Sequence, residues 1–147
     1  MSQVAVSGGG PAGRAAAEVM AEAGVSVTVY EAKPTVARKF LMAGKSGLNL
    51  TKAEDPATLL PHYFEAAPWL SSALRAWDAD AVIRWAEGLG QEMFTGSTGR
   101  VFPKAMKASP LLRAWLERLN TLRVAIRTRH RCVGWHGAVP QVIGPDG

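Results

Sequence analysis

Residues 4–31 decide the fold of this chain and read VAVSGGGPAGRAAAEVMAEAGVSVTVYE. Residues 4–7 read VAVS and predict a short, largely apolar strand, and the glycines that follow form a G-x-G-x-x-G pattern. Residues 11–23 are rich in alanine and predict a helix, while the alternating residues 25–30 predict a second strand. Glu31 follows this strand at the position where a dinucleotide-binding βαβ unit carries an acid. The stretch therefore predicts a Rossmann-like α/β fold.

The residue types in the loop and at the start of the helix can be explained by the chemistry of dinucleotide binding. Gly8 permits the tight turn from strand to helix, and Gly10 has no side chain to hold a pyrophosphate away from the backbone. Gly13 lets the helix lie close to the sheet. The helix begins with Pro11 and Ala12, where unpaired N–H groups and the positive end of the helix dipole attract phosphate. These five residues are predicted to bind a dinucleotide.

Glu31 is predicted to accept hydrogen bonds from the ribose of that dinucleotide. A carboxylate at this position also repels a 2′-phosphate, which argues against NADP in this site. The alternative interpretation is a βαβ unit in which the glycines only form a turn and Glu31 is solvated. The combination of two strands, a small-residue helix and a terminal acid favours dinucleotide binding over this alternative.

The composition is ordinary for a soluble protein, with 147 residues, 48% hydrophobic and 20% charged. No apolar run approaches the roughly 20 residues of a membrane span, and no secretory signal is recognisable. Cys132 is the only cysteine, which excludes an internal disulfide and a multi-cysteine metal site. We therefore expect a cytoplasmic protein without a metal site or membrane association.

The formal net charge of +5 has three interpretations. The first is a solvated basic surface, and the second is attraction of an anionic cofactor such as FAD or NAD. The third is nucleic-acid binding, because arginines recur on one side of the alternating stretch from Arg123 to Cys132, at positions 123, 127, 129 and 131. Such alternation is more typical of the solvated face of a strand, so nucleic acid is not expected as a partner.

The rest of the chain is predicted as loops, helices and a hairpin. Residues 32–51 are predicted as a basic loop and residues 52–95 as largely helical, with Trp69 and Trp77 in the core rather than around a cofactor. The elements predicted after them are a polar loop at 96–107, a helix opening at Ser109-Pro110, an extended stretch at 123–135 and a strand at 139–143 that returns after a turn at His136-Gly137.

Two further motifs carry a family resemblance. Residues 38–51 read RKFLMAGKSGLNLT, and residues 96–104 read GSTGRVFPK, followed by Lys107 and Ala108. Together with the glycine loop, they resemble the bacterial FAD-dependent oxidoreductases described as aminoacetone-oxidase-like or as uncharacterised flavoproteins. Two departures stand out, because Ala37 replaces a common glycine and residues 46–49 replace a common Gly-Arg-Cys-Asn run. No role of that cysteine carries over.

The resemblance implies a Rossmann-like, glutathione-reductase-type FAD-binding domain, incomplete in this chain, with residues 52–95 as a helical insertion and a C-terminal β-meander. FAD is the implied cofactor. The motif residues that the resemblance places along the pyrophosphate and near the flavin are Arg38, Lys39, Gly44, Lys45, Ser46, Gly47, Asn49 and Thr51. Their glycines, hydrogen-bonding groups and positive charge suit an anion, although without the family they read equally as a basic loop.

The chain is expected to be a fragment of a longer enzyme. It ends with Pro145-Asp146-Gly147, a turn signal that no strand follows, and its parallel strands make an incomplete sheet. Family members are longer, so residues 1–147 are expected to be the N-terminal part of the FAD-binding domain, with the rest and a substrate domain beyond them. We expect the 147-residue chain alone to be inactive, to hold FAD weakly and to self-associate through the strand edge near residues 139–143.

The function predicted by these observations is an FAD-dependent oxidoreductase acting on an unknown small-molecule substrate, with NAD(P)H as a candidate electron donor. No catalytic residue is identified, because His62, His130 and His136 are scattered without ligand or triad spacing. The alternatives are an NAD-linked dehydrogenase, a non-catalytic nucleotide- or flavin-binding module, and a flavoenzyme acting on tRNA, the last suggested only by the arginine-rich stretch.

Overall fold

The computed structural model describes residues 3–146, and the chain divides into two compact units. The first unit joins the two ends of the chain, up to Met42 and from Trp115 onward. The second unit is Ala43–Ala114.

The helices and strands run along the chain as follows. The strands are β1 (Gln3–Ser7), β2 (Ser26–Glu31), β3 (Thr51–Lys52), β4 (Met93–Thr95), β5 (Arg100–Pro103), β6 (Ala125–Thr128), β7 (Arg131–His136) and β8 (Val139–Ile143). The α-helices are α1 (Pro11–Glu22), α2 (Arg38–Ala43), α3 (Pro56–Leu59), α4 (Ala67–Ala76), α5 (Ala79–Gly88) and α6 (Ala108–Thr121), with a 3-10 stretch at Leu60–Ala66.

A parallel sheet in the order β1-β2-β6 forms the centre of the first unit. In its register Val4 lies opposite Val27, and Val29 lies opposite Ile126. Parallel neighbours need a crossover connection, which α1 supplies between β1 and β2. Val27 and Val29 are buried, as expected for the middle strand of a covered sheet. The predicted Rossmann-like α/β fold is confirmed.

The predicted helix after residue 107 is also present. α6 begins at Ala108, so Ser109 lies inside its first turn rather than capping it. The apolar stripe of this helix is buried at Leu111, Leu112, Trp115 and Leu119.

The prediction of one extended stretch over residues 123–135 is wrong. Arg123 has φ 60° and ends α6, and Arg129 has φ 59° and separates β6 from β7. At the end of α6, Val124 donates its N–H to the carbonyl of Leu119, a helix-ending pattern with a left-handed residue inside it. Because two of the four arginines are in turns, they do not share the face of a single strand.

The end of the chain forms a two-stranded antiparallel sheet of β7 and β8, in the first unit. The predicted turn is confirmed, with Gly137 at φ 60° between the strands. The register of the two strands shifts between Cys132 and Gly134. The hairpin places four exposed apolar residues at alternating positions, Val133, Trp135, Val139 and Ile143.

The second unit combines helices with a small antiparallel sheet in the order β3-β5-β4. By residue type, either Asp78 or Asp80 could cap α5, and the structure uses Asp78, whose carboxylate accepts the N–H of Ala81 at 2.8 Å. Trp69 and Trp77 are 76% and 51% exposed, so their prediction as core residues is wrong. The main contacts of α4 are with the 3-10 stretch and with α3. These short helices leave Trp69, in α4, and Trp77, directly after it, uncovered.

Candidate functional site

The glycine loop and Glu31 meet at one edge of the parallel sheet. The carboxyl ends of β1 and β2 lie side by side there, which is where open α/β sheets bind ligands. Gly8 donates its N–H to the carbonyl of Tyr30 at 2.8 Å, and Gly9 donates its N–H to Glu31 Oε2 at 2.9 Å. The structure thus brings together the residues that the sequence predicts for the pyrophosphate and for the ribose.

The glycines of the loop differ in the space around them. A Cβ atom added to Gly10 would meet no atom within 4 Å, and the same holds for Gly8, which has φ 102°. A Cβ atom on Gly13 would lie 2.0 Å from the carbonyl oxygen of Gly8. Gly13 is therefore required by packing between helix and loop, while the open side of Gly10 leaves room for a phosphate group.

The start of α1 has the features of an anion-binding helix terminus. Gly10 is its N-cap residue and supplies no side-chain cap, and no acidic residue lies in the first turn. Helix N-termini are usually satisfied by a capping side chain, by water or by a ligand. Here the open loop, the uncapped N–H groups and the positive dipole end all suit a pyrophosphate.

Glu31 has a structural role that sequence reasoning missed. Its Oε2 accepts the N–H of Gly9, and its Oε1 accepts the N–H of Lys33 at 2.8 Å. Each carboxylate oxygen has two lone pairs, so both can still accept a hydrogen bond from a ribose hydroxyl. Glu31 thereby ties the glycine loop to the end of β2 and keeps acceptor capacity for a ligand.

Arg38 and Lys39 begin α2, where the sequence predicts only a loop. The preceding residue, Ala37, donates its N–H to the carbonyl of Gly9 at 3.3 Å, so α2 starts beside the glycine loop. Both basic side chains are exposed. Ala37 is buried and has φ 61°, a left-handed conformation that a residue with a Cβ atom adopts at a cost of roughly 1–2 kcal/mol.

Replacing Ala37 with glycine should raise the free energy of unfolding by about 1 kcal/mol, because glycine adopts a positive φ without strain. The measurement is chemical denaturation of the two proteins. The control is Ala15→Gly, an exposed position inside α1, which should lose about 1 kcal/mol through reduced helix propensity. Equal losses for both variants would show that Ala37 is not strained.

The other predicted site residues lie in the second unit, where the two family motifs pack against each other. A Cβ atom on Gly44 would lie 2.4 Å from Cβ of Ala108, and one on Gly47 would lie 2.8 Å from Cε of Met106. Thr51 pairs with Val101 between β3 and β5. Gly44 is therefore required by protein packing, whereas Gly47 is favoured by its φ of 130°, because the end of the Met106 side chain can move aside. Their motif alone does not reveal either role.

The remaining residues of this motif divide into one that bonds to the backbone and two that face solvent. Asn49 is exposed, and with its amide nitrogen turned toward the backbone it donates to the carbonyls of Thr51 at 2.8 Å and Val101 at 3.3 Å. Lys45 and Ser46 are exposed. The predicted cofactor contacts of residues 44–51 stay a prediction.

Sequence reasoning missed a cluster of buried charges on α1. Arg14 is 0% exposed and Glu18 is 5% exposed. Glu18 accepts hydrogen bonds from Trp115 Nε1 at 2.6 Å and from Arg118 Nη1 at 2.9 Å. The signal in the sequence is a pair of charged residues four positions apart on the helix face that also carries the buried Ala17.

The described residues contain no group of three or more His, Cys, Asp or Glu side chains arranged to hold a metal ion. Between residues 3 and 146, no helix is long and apolar enough to cross a membrane.

Solved structures with the same fold include a dehydrogenase and a hydroxylase, and the matched proteins are longer than this chain. The 3-ketosteroid-delta4-(5alpha)-dehydrogenase from Rhodococcus jostii RHA1 matches with TM-score 0.64 and 14% identity, over 89% of this chain and 38% of that chain. THI4 from Thermovibrio ammonificans matches with TM-score 0.55 and 14% identity, over 96% of this chain and 45% of THI4. Aklavinone-11 hydroxylase, solved with FAD and aklavinone, matches with TM-score 0.51 and 16% identity, over 99% of this chain and 30% of the hydroxylase. The chain spans less than half the length of these proteins.

At identities this low, the structural matches establish the fold alone. A search of curated proteins gives no match. The sequence itself matches the family described as "HI0933-like protein Rossmann domain" over residues 2–143, which is nearly its whole length. The chain therefore belongs to the HI0933-like Rossmann domain family.

Proposed function

We propose that this chain is the FAD-binding portion of an oxidoreductase. The observation that carries the proposal is the open side of Gly10 at the uncapped start of α1, next to Glu31. No side chain caps this helix terminus, and the open loop gives a bound phosphate access to its N–H groups. The aklavinone-11 hydroxylase with the same fold was solved with FAD, which supports FAD over another dinucleotide.

Different residues of the first unit bind different parts of the cofactor. The loop at Gly8 and Gly10 and the first turn of α1 hold the pyrophosphate through backbone N–H groups. Glu31 accepts hydrogen bonds from the ribose while it holds Gly9 in place. FAD supplies the electron-transfer chemistry when it is bound, so the contribution of this chain is binding and orientation.

The proposal also extends from cofactor binding to the reaction of the whole protein. When bound, FAD would supply electron transfer between a small-molecule substrate and NAD(P)H as electron donor, and the residues of this chain would bind and orient it. The structural relatives support the reaction class in general terms, because they include a dehydrogenase and a hydroxylase. The exposed basic residues Arg38 and Lys39, beside the loop, favour anionic ligands over neutral ones.

The test is to identify and titrate the cofactor. Mass spectrometry of small molecules released from the purified protein should detect FAD, and titration of the FAD-free protein should quench flavin fluorescence at a defined stoichiometry. Binding of NAD without FAD would replace the proposal with an NAD-linked dehydrogenase. FAD that is bound but never reduced by any donor would indicate a non-catalytic flavin-binding module.

Replacing Gly10 with valine should abolish FAD binding without unfolding the protein. The backbone at Gly10 is extended, with φ −76° and ψ −177°, and a Cβ atom there meets no protein atom within 4 Å. The valine side chain would occupy the space proposed for the pyrophosphate. The measurement is flavin content after reconstitution, with circular dichroism to verify folding. Full flavin content in Gly10→Val would show that the loop does not hold the phosphates.

Replacing Glu31 with alanine should weaken FAD binding by about 1–3 kcal/mol, the scale for losing hydrogen bonds to a charged group. Both the ribose contact and the bond to the Gly9 N–H are lost in this variant. The measurement is the dissociation constant for FAD. The control is Glu22→Ala, an exposed residue at the end of α1 with the same charge change, which should bind like the parent protein. Unchanged affinity in a folded Glu31→Ala protein would contradict the assignment.

A further inference from the structure

Arg14 is a buried cation whose outer nitrogens are unsatisfied. The residue is 0% exposed, and neither Nη1 nor Nη2 has a hydrogen-bond partner. Only Nε is bonded, donating to the carbonyl of Gly10 at 3.3 Å. The guanidinium carbon lies 4.2 Å from the ring centroid of Trp115 and 5.4 Å from that of Phe40. The two rings shield the charge from water at the base of the glycine loop.

The position of this charge is unfavourable for the ligand-free protein. Arg14 lies in the first turns of α1, where the helix dipole already contributes positive potential. The carboxylate one turn further along, Glu18, is engaged by Trp115 and Arg118. Burial lowers the pKa of Arg14 to about 10, so the guanidinium still carries its charge at neutral pH. Stacking on two rings offsets part of the cost of burial but supplies no anion.

We propose that Arg14 is a binding residue for the pyrophosphate of the dinucleotide, acting as a buried cation beneath the loop that receives this anion. This inference rests on the proposed function. The two negative charges of a pyrophosphate at the start of α1 offset the excess positive charge of the guanidinium and the helix dipole. Because Phe40 and Trp115 exclude water from one side of the guanidinium, its attraction for the anion is screened less than that of an exposed cation.

The proposal predicts opposite effects on stability and on binding. Arg14→Met removes the charge and keeps a flexible chain of similar length, so the thermal unfolding midpoint of the FAD-free protein should rise or stay level. Its dissociation constant for FAD should increase at least tenfold, which is the loss expected for a cation roughly 12 Å from an anion at an effective dielectric constant near 20, and a closer cation would cost more. A purely structural role for Arg14 would instead lower stability and affinity together.

The experiment compares three variants with the parent protein in FAD titrations and in thermal unfolding without FAD. Arg14→Lys keeps the charge and should bind FAD within about threefold of the parent, since most of the attraction is Coulombic. Arg113→Met removes an exposed cation on α6 with the same change in net charge, and should alter neither measurement. Arg14→Gln is the second neutral variant if Arg14→Met does not fold.

The outcomes separate this inference from the proposed function. If the parent protein binds no FAD, the proposed function fails. If the parent binds FAD and Arg14→Met or Arg14→Gln binds equally well, only the role of Arg14 fails. Should neither neutral variant fold, Arg14 is required for stability, which contradicts the predicted rise or constancy of the unfolding midpoint, and the role of Arg14 fails.

Discussion

Replacing Gly13 with alanine is expected to lower the free energy of unfolding by about 3 kcal/mol, the upper part of the usual range for overpacking. The added Cβ atom would lie 2.0 Å from the carbonyl oxygen of Gly8 and 3.2 Å from Cγ1 of Val6. The first of these contacts is with backbone, which cannot move aside as a flexible side chain can. Chemical denaturation measures the loss, and FAD titration measures the accompanying damage to the loop.

Gly10→Ala is the matched control for this prediction. It introduces the same methyl group three residues earlier, where no atom lies within 4 Å, so it should change the free energy of unfolding by less than about 1 kcal/mol. The pair separates the packing role of one glycine from the ligand role of the other. Equal stability of Gly13→Ala and the parent protein would mean that α1 does not approach β1 as closely as the structure shows.

Replacing Glu18 with alanine is expected to cost about 3 kcal/mol of unfolding free energy, the lower part of the range for removing one partner of a buried ion pair. The carboxylate is 5% exposed and accepts hydrogen bonds from both Trp115 and Arg118. The lower part of the range applies because the Arg118 side chain is 27% exposed and retains some contact with water. Thermal and chemical denaturation measure the effect.

Two further variants control this measurement. Glu117→Ala removes an exposed acid from α6, next to Arg118 in sequence, and should change stability by less than about 0.5 kcal/mol. Glu18→Gln keeps one acceptor oxygen and should fall between the parent protein and Glu18→Ala. A neutral result for Glu18→Ala would show that the carboxylate does not hold α1 and α6 together.

The βαβ unit could be predicted from the sequence because every determinant of it is local. Gly8 turns the chain and alternating valines mark β2. The hairpin at Gly137 and an aspartate cap for α5 were predictable for the same reason, since a turn or a cap depends on a few neighbouring residues. Local patterns also placed Glu31 at the end of β2, although not its hydrogen bonds to the backbone of Gly9 and Lys33.

Predictions failed where the outcome depended on residues distant in the chain. Trp69 and Trp77 have helical spacing, but periodicity only says that residues share a face, not that another element covers it. Likewise, the alternation of arginines from Arg123 to Arg131 is typical of a single strand. Positive φ angles at Arg123 and Arg129 break it into a helix end, a short strand and a turn. Alternation in a sequence does not reveal such angles when the residue is not glycine.

The sequence by itself determined the parallel unit, the glycine loop and the acid at its edge, because turn chemistry and hydrophobic period act over a few residues. Only the tertiary structure decided which charges are buried. Glu18 meets Trp115 and Arg118 about 100 residues away in the chain, and Arg14 lies between Phe40 and Trp115. Burial and ion pairing depend on which segments meet in space, so the charges beneath the loop became visible only once α1, α2 and α6 were packed together.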